Sequence, residues 1–223
     1  MLSAKRANRT YFRQAYLSGK HGWGVDRPSP QAVSFLRGLR HLLKGGSLLD
    51  LGCGEGRHAI AAARLGFAVT AVDYEPLALR CARTRARTAG VSGIVFRRAD
   101  ALDLPFRGPA FNVVLDYGCL HHQKKEDWPA YVAGILRVLK PRGFLVLSVF
   151  SPRFYLFKGS RPWHIAQGAY RRCFTPKDLR GLCGQDFRIL KLVEERGDKG
   201  GFWHVLLRLC RRPGGPYKRL AGG

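Results

Sequence analysis

The sequence lacks any run of about 18 or more apolar residues, the length that a helix needs to cross a bilayer. Its first 20 residues carry several basic side chains and no apolar stretch like the central region of a signal peptide. These two absences predict a chain with no transmembrane segment and a cytoplasmic location.

Paired cysteine motifs are also missing. The six cysteines stand at positions 53, 81, 119, 173, 183 and 210, none of them in a CxxC pair. Several fall in apolar or helical stretches, a pattern that suits reduced thiols better than a disulfide framework or a zinc site. We therefore expect no metal site.

Acidic residues are few, with 15 against 39 basic ones and a formal net charge of +24. Such a charge attracts nucleic acid or anionic lipid without specifying either. A compositional bias towards arginine, alanine and glycine would produce the same excess, because the basic residues are spread along the chain. The charge therefore leaves an RNA partner open.

What is present is the composition of a globular domain, with 46% hydrophobic and 24% charged residues in 223 positions. Strand-like runs alternate with helical segments, which predicts a parallel sheet covered on both faces. The predicted strands are Ser47–Leu51, Ala68–Val72, Ile94–Arg97, Asn112–Asp116 and Phe144–Phe150. The predicted helices between them are Arg57–Leu65, Glu75–Ala89 and Trp128–Leu139.

The last third of the chain has a different pattern. A predicted helix at Lys177–Cys183 precedes two strand-like runs, Phe187–Glu194 and Trp203–Cys210, which are close enough in sequence to pair as an antiparallel hairpin. We expect a single domain over residues 1–223. Its parts are a lid-like segment (1–30), a ligand-binding core (44–150), a substrate-side segment with the hairpin (151–210) and a basic tail (211–223).

Three glycines mark the segment LLDLGCGEGRHAI, between the first strand and the first helix of this alternation. Gly52, Gly54 and Gly56 would let a ligand lie against the backbone beside the positive end of the helix dipole. The dinucleotide fingerprint GxGxxG would need its third glycine where Arg57 stands. Asp73 closes the second strand, where a carboxylate can accept hydrogen bonds from both ribose hydroxyls. The pattern indicates a nucleoside without a pyrophosphate.

The segment DLGCGEG resembles motif I of the class I S-adenosylmethionine-dependent methyltransferases. The likeness continues through RADALDLPF, FNVVLDYGCLHH and LRVLKPRGFLVLSVF, over roughly residues 46–150. It implies an α/β fold with a Rossmann-like, seven-stranded, mostly parallel sheet, an antiparallel C-terminal hairpin and helices on both faces. It also implies S-adenosyl-L-methionine as methyl donor and S-adenosyl-L-homocysteine as product.

The resemblance assigns roles to residues at the strand ends. The glycine turn and Asp50 would hold the methionine part, Asp73 the ribose, and Asp100 with Ala101 the adenine. The full set implied for the cofactor is Asp50, Gly52, Cys53, Gly54, Gly56, Asp73, Tyr74, Asp100, Ala101, Asp116 and Tyr117. Asp116 and Tyr117 would line the floor beneath the methyl group. Two alternatives stay open: Asp100 as a turn residue, and Asp50 as a support for the loop.

Methyl transfer needs the acceptor held in line with an already activated methyl group, so no metal is required. A base would help an oxygen or nitrogen acid to lose its proton. His121 and His122 follow the strand that ends at Asp116 and are the candidate catalytic residues. The alternative is that this pair begins a helix or packs on the cofactor.

The N-terminal stretch YFRQAYLSGKHGWGVDRPSPQAV resembles the lid region of small-molecule methyltransferases, including the tellurite-resistance and thiopurine types. Tyr11, Tyr16 and Trp23 would close over the sulfonium or, alternatively, form a hydrophobic plug. The strand end reads DYGC, without the Pro-Pro-aromatic motif common among enzymes that methylate the amines of nucleic-acid bases.

Basic and aromatic residues alternate in the long segment after the fifth strand. The basic ones are Arg153, Lys158, Arg161, Arg171 and Arg172. They would hold an anionic aromatic metabolite or an unpaired base, or form a solvated amphipathic cover. The predicted function is methyl transfer to an O, N or S atom of a small molecule. The alternatives are an RNA or ribosome-associated methyltransferase, favoured by the charge and the tail RRPGGPYKRL, and a non-catalytic RNA-binding protein of the same fold.

Overall fold

The structure is a computed structural model that describes residues 4–21, 23, 27–157, 161–184, 186–197 and 200–210. The helices are α1 (Ala4–Ser18), α2 (Pro30–Leu43), α3 (Arg57–Arg64), α4 (Pro76–Thr88), α5 (Trp128–Val138) and α6 (Pro176–Cys183). The strands are β1 (Ser47–Leu51), β2 (Ala68–Asp73), β3 (Val95–Arg98), β4 (Phe111–Tyr117), β5 (Leu139–Phe150), β6 (Trp163–Ala166), β7 (Ala169–Arg172), β8 (Phe187–Gly197) and β9 (Gly200–Leu209). The predicted basic tail and Lys158 lie outside the described residues.

Seven strands form one sheet in the order β3-β2-β1-β4-β5-β9-β8. The first five are parallel, whereas β9 runs antiparallel to both β5 and β8. The second strand of the C-terminal hairpin therefore lies between the parallel strands and the edge. This arrangement confirms the predicted Rossmann-like sheet with its antiparallel hairpin.

Alternate residues of the central strands point into two separate cores. Leu49 and Leu51 of β1 pack with α5 and α6 on one face, while Leu48 packs with α2, α3 and α4 on the other. Because both faces are covered, the strands are apolar almost throughout. The prediction of helices on both faces is thus confirmed.

Two elements cross the carboxyl ends of the parallel strands. Helix α1 contacts β7 of a small antiparallel hairpin, β6 and β7, which lies in the long connection after β5, where no strand was predicted. Asn8 of α1 ties these parts together: its side-chain amide donates to the carbonyl oxygen of His122 at 2.8 Å, and its Oδ1 accepts from the amide nitrogen of Tyr170 at 2.8 Å. The strand ends thus lie under a cover made of α1 and β7.

Within the described ranges, we find no helix with both the length and the apolar character needed to cross a membrane.

Candidate active site

A cavity of about 780 Å³ lies between the strand ends and this cover. One half is lined by the turn after β1, the end of β2 and residues 99–102. The other half is lined by residues 117–119 and the two histidines after β4, together with aromatic residues from β5, β9 and the connection between β5 and β6. The carboxyl edge of a doubly wound sheet is the usual ligand site of such folds.

The turn after β1 depends on its glycines. Gly52 and Gly54 have φ angles of +69° and +53°, which side chains disfavour. A Cβ on Gly52 would lie 2.9 Å from Cβ of Cys119, and one on Gly54 would lie 3.0 Å from the Tyr16 hydroxyl oxygen. Protein atoms thus approach this backbone as closely as a ligand would.

Gly56 departs from the prediction. It is the N-cap residue of α3 and packs towards α4, where a Cβ would lie 3.0 Å from Cβ of Ala82. It is absent from the cavity wall, unlike Gly52, Cys53 and Gly54. A glycine is needed at this position because it begins α3 and packs closely against α4. The prediction that Gly56 contacts the ligand directly is therefore corrected: Gly56 supports the turn from behind the cavity wall.

Asp73 is the last residue of β2, and both of its carboxylate oxygens accept hydrogen bonds from backbone amides. Oδ2 accepts a hydrogen bond from the amide nitrogen of Gly54 at 2.9 Å, and Oδ1 accepts one from Glu75 at 2.9 Å. Burial raises the pKa of Asp73 to about 6 despite these bonds. The carboxylate lines the cavity and has further lone pairs available, since an ionised carboxylate offers about four acceptor positions.

Asp50 is 1% exposed and also lines the cavity. It accepts a hydrogen bond from the backbone of Ala59, while its Oδ2 is buried without a hydrogen-bond partner among the described residues. Burial, followed by the negative charges of Asp73 and Asp116, raises the pKa of Asp50 to about 7. A buried acceptor without a partner is rare and marks a place where a ligand donor fits.

Asp100 is a turn residue that also lines the cavity. Its Oδ1 accepts from the amide nitrogen of Leu102 at 3.0 Å, as a turn residue does, while its Oδ2 lies 3.2 Å from the guanidinium of Arg9. Asp100 and Ala101 both line the cavity, as does Tyr74, whose ring has the Arg9 guanidinium above it at 5.7 Å.

The placement of Asp116 in the cavity wall is wrong. The side chain is fully buried beneath the turn after β4, and its oxygens accept from the amides of Cys119 and Leu120 and, at 2.8 Å, from the hydroxyl of Tyr131. These local donors draw the carboxylate inward. Tyr117 does line the cavity, with the guanidinium of Arg57 5.1 Å from the centre of its ring.

The two histidines differ in their surroundings although both line the cavity. His122 Nδ1 lies 2.8 Å from the carbonyl oxygen of Tyr170. Because a carbonyl only accepts, Nδ1 carries the proton and Nε2 keeps its lone pair. The ring of His121 instead stacks on Phe150, with centroids 3.7 Å apart, and its Nδ1 has no hydrogen-bond partner among the described residues.

Burial keeps both rings neutral near pH 7. Desolvation lowers the pKa of His122 to about 4 and that of His121 well below its ordinary value, and the positive charge of Arg171 acts in the same direction. In the part of the chain that the structure describes, neither histidine has a carboxylate partner that would oppose this.

The predicted aromatic cover is present as a cluster. Tyr11, Tyr16 and Trp23 line the cavity, and the indole N–H of Trp23 donates to the Tyr16 hydroxyl at 3.2 Å. Tyr16 lies over Gly54, which places this cluster above the glycine turn.

Sequence reasoning did not single out Asn8, which joins α1 to both His122 and β7, and it gave Arg171 no special place among five basic residues. Arg171 is 8% exposed and lines the cavity, whereas Arg153, Arg161 and Arg172 do not. Neither Asn8 nor Arg171 forms part of a sequence motif. Their role becomes visible only in the folded chain, where distant segments come into contact.

Five of the cysteines, Cys53, Cys81, Cys119, Cys173 and Cys210, are described and are free thiols. Among the described residues, no group of three or more His, Cys, Asp or Glu side chains is arranged to hold a metal ion.

Comparison with known proteins agrees with this geometry. Residues 48–143 match a family model described as a methyltransferase domain. The chain is 37% identical over 128 residues to the 27-O-demethylrifamycin SV methyltransferase of Amycolatopsis mediterranei, covering 56% of this chain and 46% of that protein. It is 36% identical over 139 residues to a ubiquinone biosynthesis O-methyltransferase of Cereibacter sphaeroides, covering 62% of this chain and 52% of that protein.

A solved structure shares nearly the whole fold. It is the Burkholderia thailandensis 1,6-didemethyltoxoflavin-N1-methyltransferase with bound 1,6-didemethyltoxoflavin and S-adenosylhomocysteine. The TM-score is 0.75 at 26% identity, and the match covers 91% of this chain and 87% of that one. Residues 48–143 therefore form a methyltransferase domain, and the chain as a whole has the fold of that S-adenosylmethionine-dependent enzyme. It spans about half the length of the curated relatives that it matches.

Proposed function

We propose that this protein binds S-adenosyl-L-methionine in the cavity at the strand ends and transfers its methyl group to an O, N or S atom of a small molecule. The observation that carries the proposal is the meeting of the glycine turn, Asp50 and Asp73 in the wall of one cavity. Its volume of about 780 Å³ lies in the range of small-molecule and cofactor sites.

The residues present fit this cofactor. The unpartnered Oδ2 of Asp50 suits the ammonium group of the methionine part, because a cation would satisfy both its hydrogen bonding and its charge. Asp73 has lone pairs for the ribose hydroxyls in addition to the two backbone bonds that fix its orientation. Residues Gly52, Cys53 and Gly54 offer backbone to the same part of the ligand.

The adenine would lie at the end of β3, where Asp100 and Ala101 line the cavity beside Tyr74. The carboxylate of Asp100 already accepts from Leu102 and pairs with Arg9. We assign the exocyclic amine of adenine to this carboxylate and the ring face to the neighbouring side chains. Tyr117 remains the proposed floor beneath the methyl group, whereas Asp116 supports the turn from below.

When bound, the cofactor supplies an electrophilic methyl group: the lone pair of the acceptor forms the new bond to carbon, and the electron pair of the broken S–CH3 bond stays on sulfur. Of the two candidate catalytic residues, His122 is the better oriented base, because its Nδ1–H is held by Tyr170 and its Nε2 is free to accept a proton. His121 forms an aromatic wall through its stack on Phe150. Helix α1 and the aromatic cluster exclude water from above.

This assignment also gives the segments their roles. Residues 1–30 act as the lid, residues 44–150 bind the cofactor, and residues 151–210 form the acceptor side. The cytoplasmic location and the single-domain organisation remain predictions from the sequence.

The names of the similar proteins above refer to rifamycin, ubiquinone and toxoflavin biosynthesis, all of them small molecules. These names support a small-molecule acceptor. They give no support to the RNA alternatives, for which the net charge of +24 and the basic tail remain the arguments.

The first test is titration calorimetry of the purified protein with S-adenosylmethionine and S-adenosylhomocysteine, with NAD as the control. Labelled donor is then incubated with the protein and separated small-metabolite or RNA extracts. We expect binding of the first two ligands and label in the metabolite fraction. Label in RNA alone would replace the acceptor assignment, and no binding of either sulfur compound would refute the cofactor assignment.

A further inference from the structure

Arg171 brings a positive charge into the acceptor half of the cavity. Its guanidinium donates to the carbonyl oxygen of Ala166 at 2.6 Å and to the hydroxyl of Tyr11 at 2.8 Å, and it lies 5.0 Å from the centre of the Tyr11 ring. These contacts fix the side chain in the wall at 8% exposure. The groups that make these contacts with Arg171 are all uncharged.

Across the described residues, no carboxylate lies within ion-pair distance of this guanidinium. By contrast, Arg153 and Arg172 of the same segment pair with Glu194 and Asp178. A buried charge without a counter-ion is costly, and arginine's planar fork of five N–H donors matches an anionic oxygen group. The site therefore lacks an anion that a ligand can supply.

The surrounding wall is aromatic. Phe150 stacks on Phe154 with centroids 4.1 Å apart and lies 5.0 Å from Phe202, and all three line the cavity. The ring of His121 extends this surface on the other side of Phe150. Flat aromatic surfaces of this kind favour a planar ligand by stacking and edge contacts.

We propose that the methyl acceptor is a planar aromatic molecule that carries an ionised acidic oxygen group, with Arg171 binding that group and Phe150, Phe154 and Phe202 packing against the ring. This inference rests on the proposed function and specifies its substrate class. Arg171 is here a specificity-determining residue.

The test compares 1-hydroxy-2-naphthoate with its uncharged carboxamide, two probes of nearly the same shape. Titration calorimetry is carried out at pH 7.5 on the full chain, with and without S-adenosylhomocysteine. We expect the acid to bind at least about tenfold more tightly than the amide. Arg171→Gln should reduce this preference to within about twofold, mainly through loss of acid binding, and Arg171→Lys should retain part of it, since its charge remains.

Arg153→Gln is the matched control, because it removes a basic side chain of the same segment that does not line the cavity; the acid preference should persist. Equal binding of acid and amide, binding of neither probe, or an undiminished preference in Arg171→Gln would overturn the proposal. If Arg171→Gln fails to fold, the proposal is still tested by the acid preference of the unaltered protein and by the partial preference expected of Arg171→Lys. The dissociation constant of S-adenosylhomocysteine is measured alongside, so that failure of cofactor binding is distinguished from failure of acceptor recognition.

Discussion

The amide nitrogen of Gly54 donates a hydrogen bond to Oδ2 of Asp73 across 2.9 Å. This bond joins the glycine turn after β1 to the end of the neighbouring strand β2. One carboxylate thereby orders the turn and keeps lone pairs available on the cavity side, so the turn and the end of β2 hold a fixed relative position in the cavity wall.

Asp73→Ala should weaken binding of S-adenosylhomocysteine by roughly 1 to 3 kcal/mol, about a 5- to 150-fold rise in dissociation constant, because hydrogen bonds to the ribose and to Gly54 are lost together. Titration calorimetry gives this value directly. Asp103→Ala, at an exposed acid outside the cavity wall, is the control. An unchanged constant in Asp73→Ala would show that the ribose lies elsewhere.

Cofactor affinity should increase with pH around neutrality. The raised pKa of Asp50, about 7, means that the carboxyl is largely protonated at pH 6 and largely ionised at pH 8. A ligand ammonium binds the ionised form, so binding tightens as pH rises through 7 and releases a proton near that pH. Calorimetry in buffers of different ionisation enthalpy measures the number of protons released on binding.

The variant Asp50→Asn provides the control for this pH dependence. It should bind S-adenosylhomocysteine more weakly than the unaltered protein at pH 8 and show a flatter profile between pH 6 and 8. A slope equal to that of the unaltered protein would assign the titration to another group, such as Asp73 with its pKa of about 6.

Substitutions at two glycines should have opposite effects on stability. Gly52→Ala places a Cβ 2.9 Å from Cβ of Cys119 at a φ of +69°, so we expect a loss of about 1 to 3 kcal/mol in the free energy of unfolding. Gly38→Ala, in α2 with no atom within 4 Å of the new Cβ, should gain about 0.5 to 1 kcal/mol. Urea titration measures both, and equal effects would contradict the packing described here.

His122→Gln should lower the rate of methyl transfer about 100-fold and leave the affinity for S-adenosylhomocysteine within about twofold. Because the pKa of His122 is lowered to about 4, its base form is present throughout pH 6 to 8, and this residue should add no inflection to the rate profile in that range. The assay uses the extract fraction that accepts label. His41→Gln, on the exposed side of α2, is the control, and an unaffected rate in His122→Gln would exclude this base.

Asn8→Ala should speed the release of bound S-adenosylhomocysteine. The substitution removes the bonds from α1 to His122 and to Tyr170, which hold the cover closed, and we expect about a tenfold faster dissociation measured by stopped-flow fluorescence. Arg13→Ala, on the exposed side of α1, should leave the rate unchanged. Equal rates in the two variants would show that α1 does not control release.

The sequence alone was sufficient for the sheet and for bringing the glycine turn, Asp50 and Asp73 to one edge of it. The glycine turn, Asp50 and Asp73 lie within one strand–turn–helix–strand unit, and parallel strands bring such loops to the same edge. Their positions follow from short-range pattern and chain topology. The hairpin at the end was predictable for the same reason, since its two strands are neighbours in sequence.

Only the tertiary structure decided the rest. Asp116 follows the motif pattern, yet donors from the next turn and from α5 draw it below the cavity floor. The tautomer of His122 depends on a carbonyl in β7, and the importance of Asn8 and Arg171 depends on α1 meeting that strand across about 160 positions of sequence. Such contacts leave no periodic signal, because they join surfaces that become neighbours only when the chain has folded. The sequence therefore determined the glycine turn and the acidic residues at the strand ends, and the packing of α1 on β7 decided which residues line the other half of the cavity.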